Sequence, residues 1–249
     1  MVRLLKKLVG FSVQSEGGEI GGVEDFLIDP FEWRVRYLVV NTADWLDGRF
    51  VLLSSTAAGA PDEPARIIPV SVSREMVRSS PEVGPGKILT RSLESELHNY
   101  FKWPYYWKLW DEGGLGPGNL TAIPLVELAS DVEKQQREAG GEEESGEGGM
   151  RLFSLKELSG FSLQARDGRA GALSGLVVND EDWNVLYLAA EPEGLDSAGQ
   201  VLLSPHWVQA VSRLESSLSL DLDRETVRNS PVFNPDLPLD QNLKPQHRR

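Results

Sequence analysis

Leu5-Lys6-Lys7-Leu8-Val9-Gly10-Phe11-Ser12-Val13-Gln14 returns without a gap as Leu155-Lys156-Glu157-Leu158-Ser159-Gly160-Phe161-Ser162-Leu163-Gln164, an offset of 150 residues (Gly10 to Gly160). The same offset holds well beyond this stretch. Gly18 and Gly21 match Gly168 and Gly171, and Trp33, Val35, Tyr37 and Leu38 match Trp183, Val185, Tyr187 and Leu188. Val51-Leu52-Leu53-Ser54 matches Val201-Leu202-Leu203-Ser204, and Ser80-Pro81 matches Ser230-Pro231. A constant spacing through loops as well as strands marks a duplicated domain. Anything that only one copy carries then becomes informative.

Each copy reads as a run of short strands separated by turn residues. In copy one, Gly17-Gly18 leads into Ile20–Ile28, and Asp29-Pro30-Phe31-Glu32 is a turn, because proline presets φ and aspartate bonds the local backbone. Trp33–Asn41 is rich in β-branched and aromatic residues, with Val35, Tyr37 and Val39 on one face and Arg34 and Arg36 on the other. Phe50–Leu53 and the alternating Ile68, Val70 and Val72 complete the set, and copy two adds Trp207–Val211. The expected fold class is mainly β: two small antiparallel barrels, which leave few free edges. Ser73 and Asp223 precede Arg-Glu in both copies and predict capped helical turns.

The copies part after Thr90, where copy one alone continues into an amphipathic helix with Leu93, Leu97, Tyr100 and Phe101 as its apolar stripe. The densest aromatic cluster of the chain follows, Trp103-Pro104-Tyr105-Tyr106-Trp107-Lys108-Leu109-Trp110. Two readings stand for it: the aromatics fold back on the barrels and cover apolar surface, or they stay exposed as an anchor for a partner; a mixture follows if Pro104, which breaks the helix, turns some of them outward. The expected organisation is a first repeat over 1–90, a helical and aromatic extension over 91–128, an acidic Gly/Glu linker over 129–149, a second repeat over 150–240 and a frayed tail over 241–249. Within the linker, residues 140–149 hold no apolar side chain and cannot repay their ordering entropy, so a flexible tether is expected there.

Composition bounds the function. The chain has 249 residues, with 38 acidic against 25 basic side chains and a net charge of −13. That charge repels nucleic acid and anionic headgroups, so neither is an expected partner. Cysteine is absent, which removes thiol and disulfide chemistry. No apolar run approaches the ~20 residues of a spanning helix. The charged start Met1–Val9 recurs at 151–159, where it cannot be a leader, so it reads as a structural element. A soluble, cytoplasmic protein is expected.

The order of Gly10-Phe11-Ser12, Gly18-Glu19-Ile20-Gly21-Gly22-Val23-Glu24-Asp25-Phe26-Leu27-Ile28-Asp29 and Val35-Arg36-Tyr37-Leu38-Val39-Val40 resembles the PRC-barrel domain family. Copy two repeats it more loosely, and Ser73–Pro81 with Glu94–Trp107 is similar to the bacterial branch of that family. The resemblance spans roughly residues 4–107 and 154–240. It implies a compact β-barrel that works by binding proteins, as in the cytoplasmic part of the photosynthetic reaction-centre H subunit and the C-terminal part of a ribosome-maturation factor. The chain lacks the membrane helix of the one and the second domain of the other.

The chemistry that could signal an enzyme is sparse. His98, His206 and His247 stand at no metal-ligand spacing, and Gly113–Gly118 lacks the Lys-Ser/Thr of a phosphate loop. Glu24-Asp25 reads as an exposed strand face. No catalytic, cofactor-binding or metal-ligating residue is assigned, and no cofactor is expected. The residues expected to bind a partner are Trp103, Tyr105, Tyr106, Trp107 and Trp110, because Trp and Tyr anchor interfaces. Trp45 is second: it stands on a loop where copy two has Leu195, and either meets a partner or caps its own barrel. Trp33 and Trp183 are read as matched core or barrel-end residues.

The expected function is a non-catalytic protein-interaction or assembly module, with a homo-oligomer as one form it could take. Two alternatives stand beside it: an accessory protein of a photosynthetic reaction-centre-like or other membrane electron-transfer complex, and a small-ligand binder with its pocket between the barrels.

Overall fold

The computed structural model describes residues 1–81, 83, 89–107, 152–194 and 199–234. The expected linker flexibility, Trp110 and His247 lie outside them. The chain divides into two compact units. Met1–Leu89 and Met150–Arg249 form one, and Thr90–Gly149 forms the other.

In the first unit, copy one contributes β1 (Val2–Leu4), β2 (Ser12–Ser15), β3 (Gly18–Asp29), β4 (Arg34–Asn41), β5 (Phe50–Ser54), β6 (Ile67–Pro69) and helix α1 (Arg74–Arg78). The second unit contains α2 (Arg91–Phe101). Copy two follows with β7 (Phe153–Ser154), α3 (Leu155–Leu158), β8 (Ser162–Ala165), β9 (Gly168–Asn179), β10 (Val185–Pro192), β11 (Gln200–Leu203), β12 (Val208–Ser212), β13 (Ser217–Leu220), α4 (Arg224–Arg228) and β14 (Val232–Phe233). The repeat seen in the sequence is therefore a repeat of elements. It extends to rare backbone conformations: Trp33 and Trp183 have φ of 50° and 60°, and Arg66 and Ser216 have 55° and 47°. Ser73 and Asp223 cap α1 and α4 by accepting from the amides of Met76 and Thr226.

The strands form two sheets, ordered β5-β4-β3-β2-β6 in copy one and β12-β13-β8-β9-β10-β11-β14 in copy two. The expectation of antiparallel pairing is corrected in one respect, the direction of two strand pairs. Strands β2 and β6 run parallel, as do β8 and β13. Hairpin neighbours must reverse direction, but β6 and β13 return after long excursions and enter in the same sense. The ladders trace open paths among the described residues rather than closed rings.

The short first strand of each copy leaves its own sheet and pairs with the long strand of the other. β1 joins β9 antiparallel, with Arg3 opposite Val178 and Leu4 opposite Val177. β7 joins β3, with Phe153 opposite Ile28 and Ser154 opposite Leu27. Those two registers are the same register at an offset of 150. Between them Arg34 bridges Asn184, its own counterpart in the other copy. The amide of Val35 donates to the carbonyl of Trp183 at 3.0 Å, and that of Val185 to Trp33 at 2.7 Å. The copies thus meet as the halves of an isologous dimer, with the pseudo-two-fold axis at the Arg34–Asn184 pair. Trp33 and Trp183 are buried at this contact (8% and 2% exposed) rather than at a barrel end. Their left-handed backbone, costly for a bulky residue, turns each carbonyl to the partner copy.

The same exchange explains one buried charge that strand alternation places outside, Asp25, and a second, Arg36, is buried within its own copy. Of the pair expected to be exposed, Asp25 is buried, whereas the Glu24 side chain remains 45% exposed. α3 packs against β3, where Lys156 pairs with Glu24 and its amide donates to Asp25 at 3.3 Å. Arg36 is buried too, held by Asp29 at 2.6 Å and Glu32 at 2.6 Å. Removing Arg36 while Asp29 stays would leave a buried carboxylate unpaired, so Arg36→Ala is expected to cost about 3–5 kcal/mol in chemical denaturation.

Burial pushes the Asp25 carboxyl above its ordinary value of 3.8, against the opposing hydrogen bonds from the Phe26 and Lys156 amides. The unfolded chain therefore releases this proton more readily than the folded one. The stabilisation linked to Asp25 is fully present below 3.8 and is lost as pH rises through the folded value. Asp25→Asn is expected to remove that loss, so that the variant gains on the wild type as pH climbs from ~3 to ~7. Melting curves across that range check it. A variant that falls progressively behind as pH rises would contradict it.

Among the described residues, no helix is long and apolar enough to cross a membrane.

Candidate partner-binding site

Helix α2 starts where Thr90 accepts from the amide of Leu93 and ends at Lys102, which adopts a left-handed cap at φ 57°. The amides of Lys102 and Trp103 both return to the carbonyl of His98, which reverses the chain. The aromatics after Pro104 consequently fold back on the helix instead of turning outward. They gather around His98, which is 2% exposed. Trp107 meets its ring edge-on at 4.7 Å, Tyr105 stacks at 5.7 Å, Trp103 approaches at 5.8 Å and Tyr106 at 5.9 Å. The carbonyl of Pro104 lies 2.9 Å from His98 Nδ1. A carbonyl only accepts, so this contact places a proton on Nδ1.

A second buried polar residue ties the cluster. Glu94, 1% exposed, accepts from Arg91 at 2.9 Å and from the Tyr106 hydroxyl at 2.6 Å. The Arg91 guanidinium lies over the Trp107 ring at 4.3 Å, and Trp103 stacks on Phe101 at 4.3 Å. Each aromatic contact contributes roughly 0.5–1.5 kcal/mol beyond area burial. The buried helix face is Glu94, Leu97, His98 and Phe101, whereas Leu93 and Tyr100 are only half-buried. The apolar stripe predicted this face only in part. Glu94 and His98 were missed because a hydropathy pattern counts them as polar. The spacing of Arg91 and Glu94 at i, i+3, ahead of an aromatic run, was the available signal.

The predicted contact residues therefore divide. Trp107 is buried at 5% exposure and forms the centre of the cluster, while Trp103, Tyr105 and Tyr106 are half-buried at its surface. Trp107→Ala is expected to destabilise this unit by about 3–5 kcal/mol. Loss of near-ultraviolet circular dichroism with intact far-ultraviolet strand signal would record it.

Trp45 lies in the other unit. It is half-buried, its Nε1 donates to the carbonyl of Ile20 at 2.6 Å, and the Arg74 guanidinium covers its ring at 4.3 Å. These contacts spend its polar edge and one face on its own copy.

The two sheets and the helical turns capped at Ser73 and Asp223 repeat the same elements in both copies. Residues 2–77 match the family model described as PRC-barrel domain. The comparison with curated proteins yields no match.

Proposed function

We propose that the chain is a non-catalytic protein-interaction and assembly module. In this reading it is a tandem duplication of the PRC-barrel domain, each sheet closing as a barrel through its side chains, with one aromatic docking element added to copy one. The observation that carries the proposal is the cluster on α2. It holds Trp103, Tyr105 and Tyr106 half-exposed on a frame already fixed by His98, Glu94 and Trp107. Aromatics ordered before binding pay little conformational entropy on docking and make effective anchors. The buried charges of the molecule support the same reading, because Arg36, Asp29 and Glu94 are engaged in structural pairs.

The alternative of a ligand pocket between the copies finds less support. The contact there is occupied by reciprocal ladders, by Trp33 and by Trp183, whose Nε1 donates to the carbonyl of Ala58 at 3.4 Å.

The test compares wild type with the Trp103→Ala/Tyr105→Ala variant as immobilised bait, read by quantitative mass spectrometry. A protein retained by wild type and reduced about tenfold by the variant, at unchanged melting temperature, supports the assignment. Equal capture by both would remove the cluster from the binding surface.

A further inference from the structure

The two copies differ at one sheet edge, which copy one closes and copy two leaves open. β12 (Val208–Ser212) stands at the end of its sheet, with β13 as its one strand neighbour among the described residues. At the offset of 150, its counterpart in copy one is the segment 58–62. Three features stop that segment from accepting a further strand. Pro61 has no N–H to give, Trp183 Nε1 donates to the carbonyl of Ala58 at 3.4 Å, and Arg3 donates to the carbonyl of Pro61 at 3.1 Å. The segment makes only isolated bridges, Ala58 with Val70 and Asp62 with Ile67. Copy two has none of these features. Val211 stands in place of Pro61, and Phe153, which has no side-chain donor, in place of Arg3. Among the described residues no side chain, that of Trp33 included, bonds to the backbone of Val208–Val211.

The open edge is uncharged. Val208-Gln209-Ala210-Val211-Ser212 carries no ionisable side chain, and Gln209 and Ala210 are exposed. Alternate residues of an edge strand turn N–H and C=O away from their own sheet, where a second strand can take them up. The register shift between Val208 and Ala210 leaves Ala210–Ser212 regular against β13. Large apolar side chains flank the strand in solvent: Trp207 is 45% exposed and Leu214 92%, whereas Ala57, the counterpart of Trp207, is buried. Arg213 follows the strand where copy one has Glu63. One face of its guanidinium lies 4.4 Å from the centre of the Phe153 ring. It donates to the Leu152 carbonyl at 2.9 Å and to Glu157 at 3.0 Å, and its side chain stays 42% exposed.

We propose that β12 docks on β12 of a second copy of this chain, the two strands antiparallel about a two-fold axis at Ala210. In that register Ala210 opposes Ala210, Gln209 opposes Val211 and Val208 opposes Ser212, so no charge meets a like charge along the strand. One residue beyond each end, Trp207 of one copy falls opposite Arg213 of the other. Directly opposed residues share a face of the sheet, so the indole meets the guanidinium on the side that Phe153 leaves uncovered. Symmetry makes this match twice, which favours a second copy over an unrelated strand. The proposal deepens the assembly reading by naming a partner. It uses no residue of the α2 cluster, so failure of either surface is read separately.

The test is sedimentation of the full-length chain over ~5 to ~200 µM, the range suited to a small interface. Salt at ~0.3 M screens the repulsion between two chains of net charge −13. The expected mass rises with concentration from that of one chain toward that of two. Ala210→Lys and Ala210→Glu each set like charges against one another across the axis, so each variant alone is expected to stay monomeric. An equimolar mixture of the two is expected to recover the dimer, which a folding defect would not allow. Trp207→Ala is expected to weaken dimerisation about tenfold. A wild type that stays monomeric at ~200 µM would overturn the proposal in favour of a strand from another protein. Ala210→Lys and Ala210→Glu variants that each dimerise as wild type does, or that stay monomeric when mixed, would overturn it as well.

Discussion

Alanine at Gly171 is expected to destabilise the protein by at least about 3 kcal/mol, with the same substitution at Gly21 doing likewise. At Gly171, where φ is +145°, a Cβ would lie 2.1 Å from the carbonyl oxygen of Glu191. At Gly21 it would lie 2.0 Å from that of Asn41. These obstacles are backbone atoms of the neighbouring strand, held in the ladders of β9 with β10 and β3 with β4, so no side chain can swing aside. Relief requires the strands to separate at the point where each sheet bends. Chemical denaturation of Gly171→Ala and Gly21→Ala checks both, and the control Gly199→Ala, in open space, is expected to change little. Loss at all three sites alike would contradict close approach as the cause, because alanine in open space lowers the entropy of the unfolded chain and does not destabilise.

The second large effect concerns the exchanged strands. Leu4 is 4% exposed and packs with Val177, Ala189, Leu202 and Phe233, all of copy two. Leu4→Ala is expected to cost about 2–5 kcal/mol, the range for emptying a well-packed core position. The informative part is where the cost falls. A residue at the start of copy one should lower the stability of copy two, because its contacts lie there. Phe153, 5% exposed and paired to β3, should act in the opposite direction. Hydrogen exchange of the β9 amides in Leu4→Ala, and of the β3 amides in Phe153→Ala, reads this crossed pattern. Loss of protection confined to each residue's own copy would contradict it.

Much of this architecture was legible in the sequence, and the reasons differ by element. The glycines at 18, 21, 168 and 171 marked the tight register of β3 and β9, and Ser73, Asp223 and Thr90 announced their helices through capping chemistry that is local. The exchange of β1 and β7 was not legible. Strands of two and three residues carry no periodicity, and pairing of Arg3 with Val178 or of Ile28 with Phe153 leaves no local trace. That hidden pairing is also why the burial of Asp25 was not legible: alternation assigns it to solvent, and only the other copy covers it, whereas Arg36 is buried by its pairs with Asp29 and Glu32 in its own copy. In the α2 cluster, Trp103–Trp107 were recognisable as important, but not which ring would be central. That depended on His98 accepting a neighbour on every side.

The claim on which the rest depends is that the two copies form one interleaved unit. A site-specific protease sequence inserted between Gly140 and Gly141 allows the connection to be cut without touching either copy. After complete cleavage, the account predicts that the two fragments co-elute in native size exclusion at the volume of the intact chain. They should then unfold in a single transition observed at both β3 and β9. Two fragments that separate under native conditions, each folded and melting on its own, would contradict it.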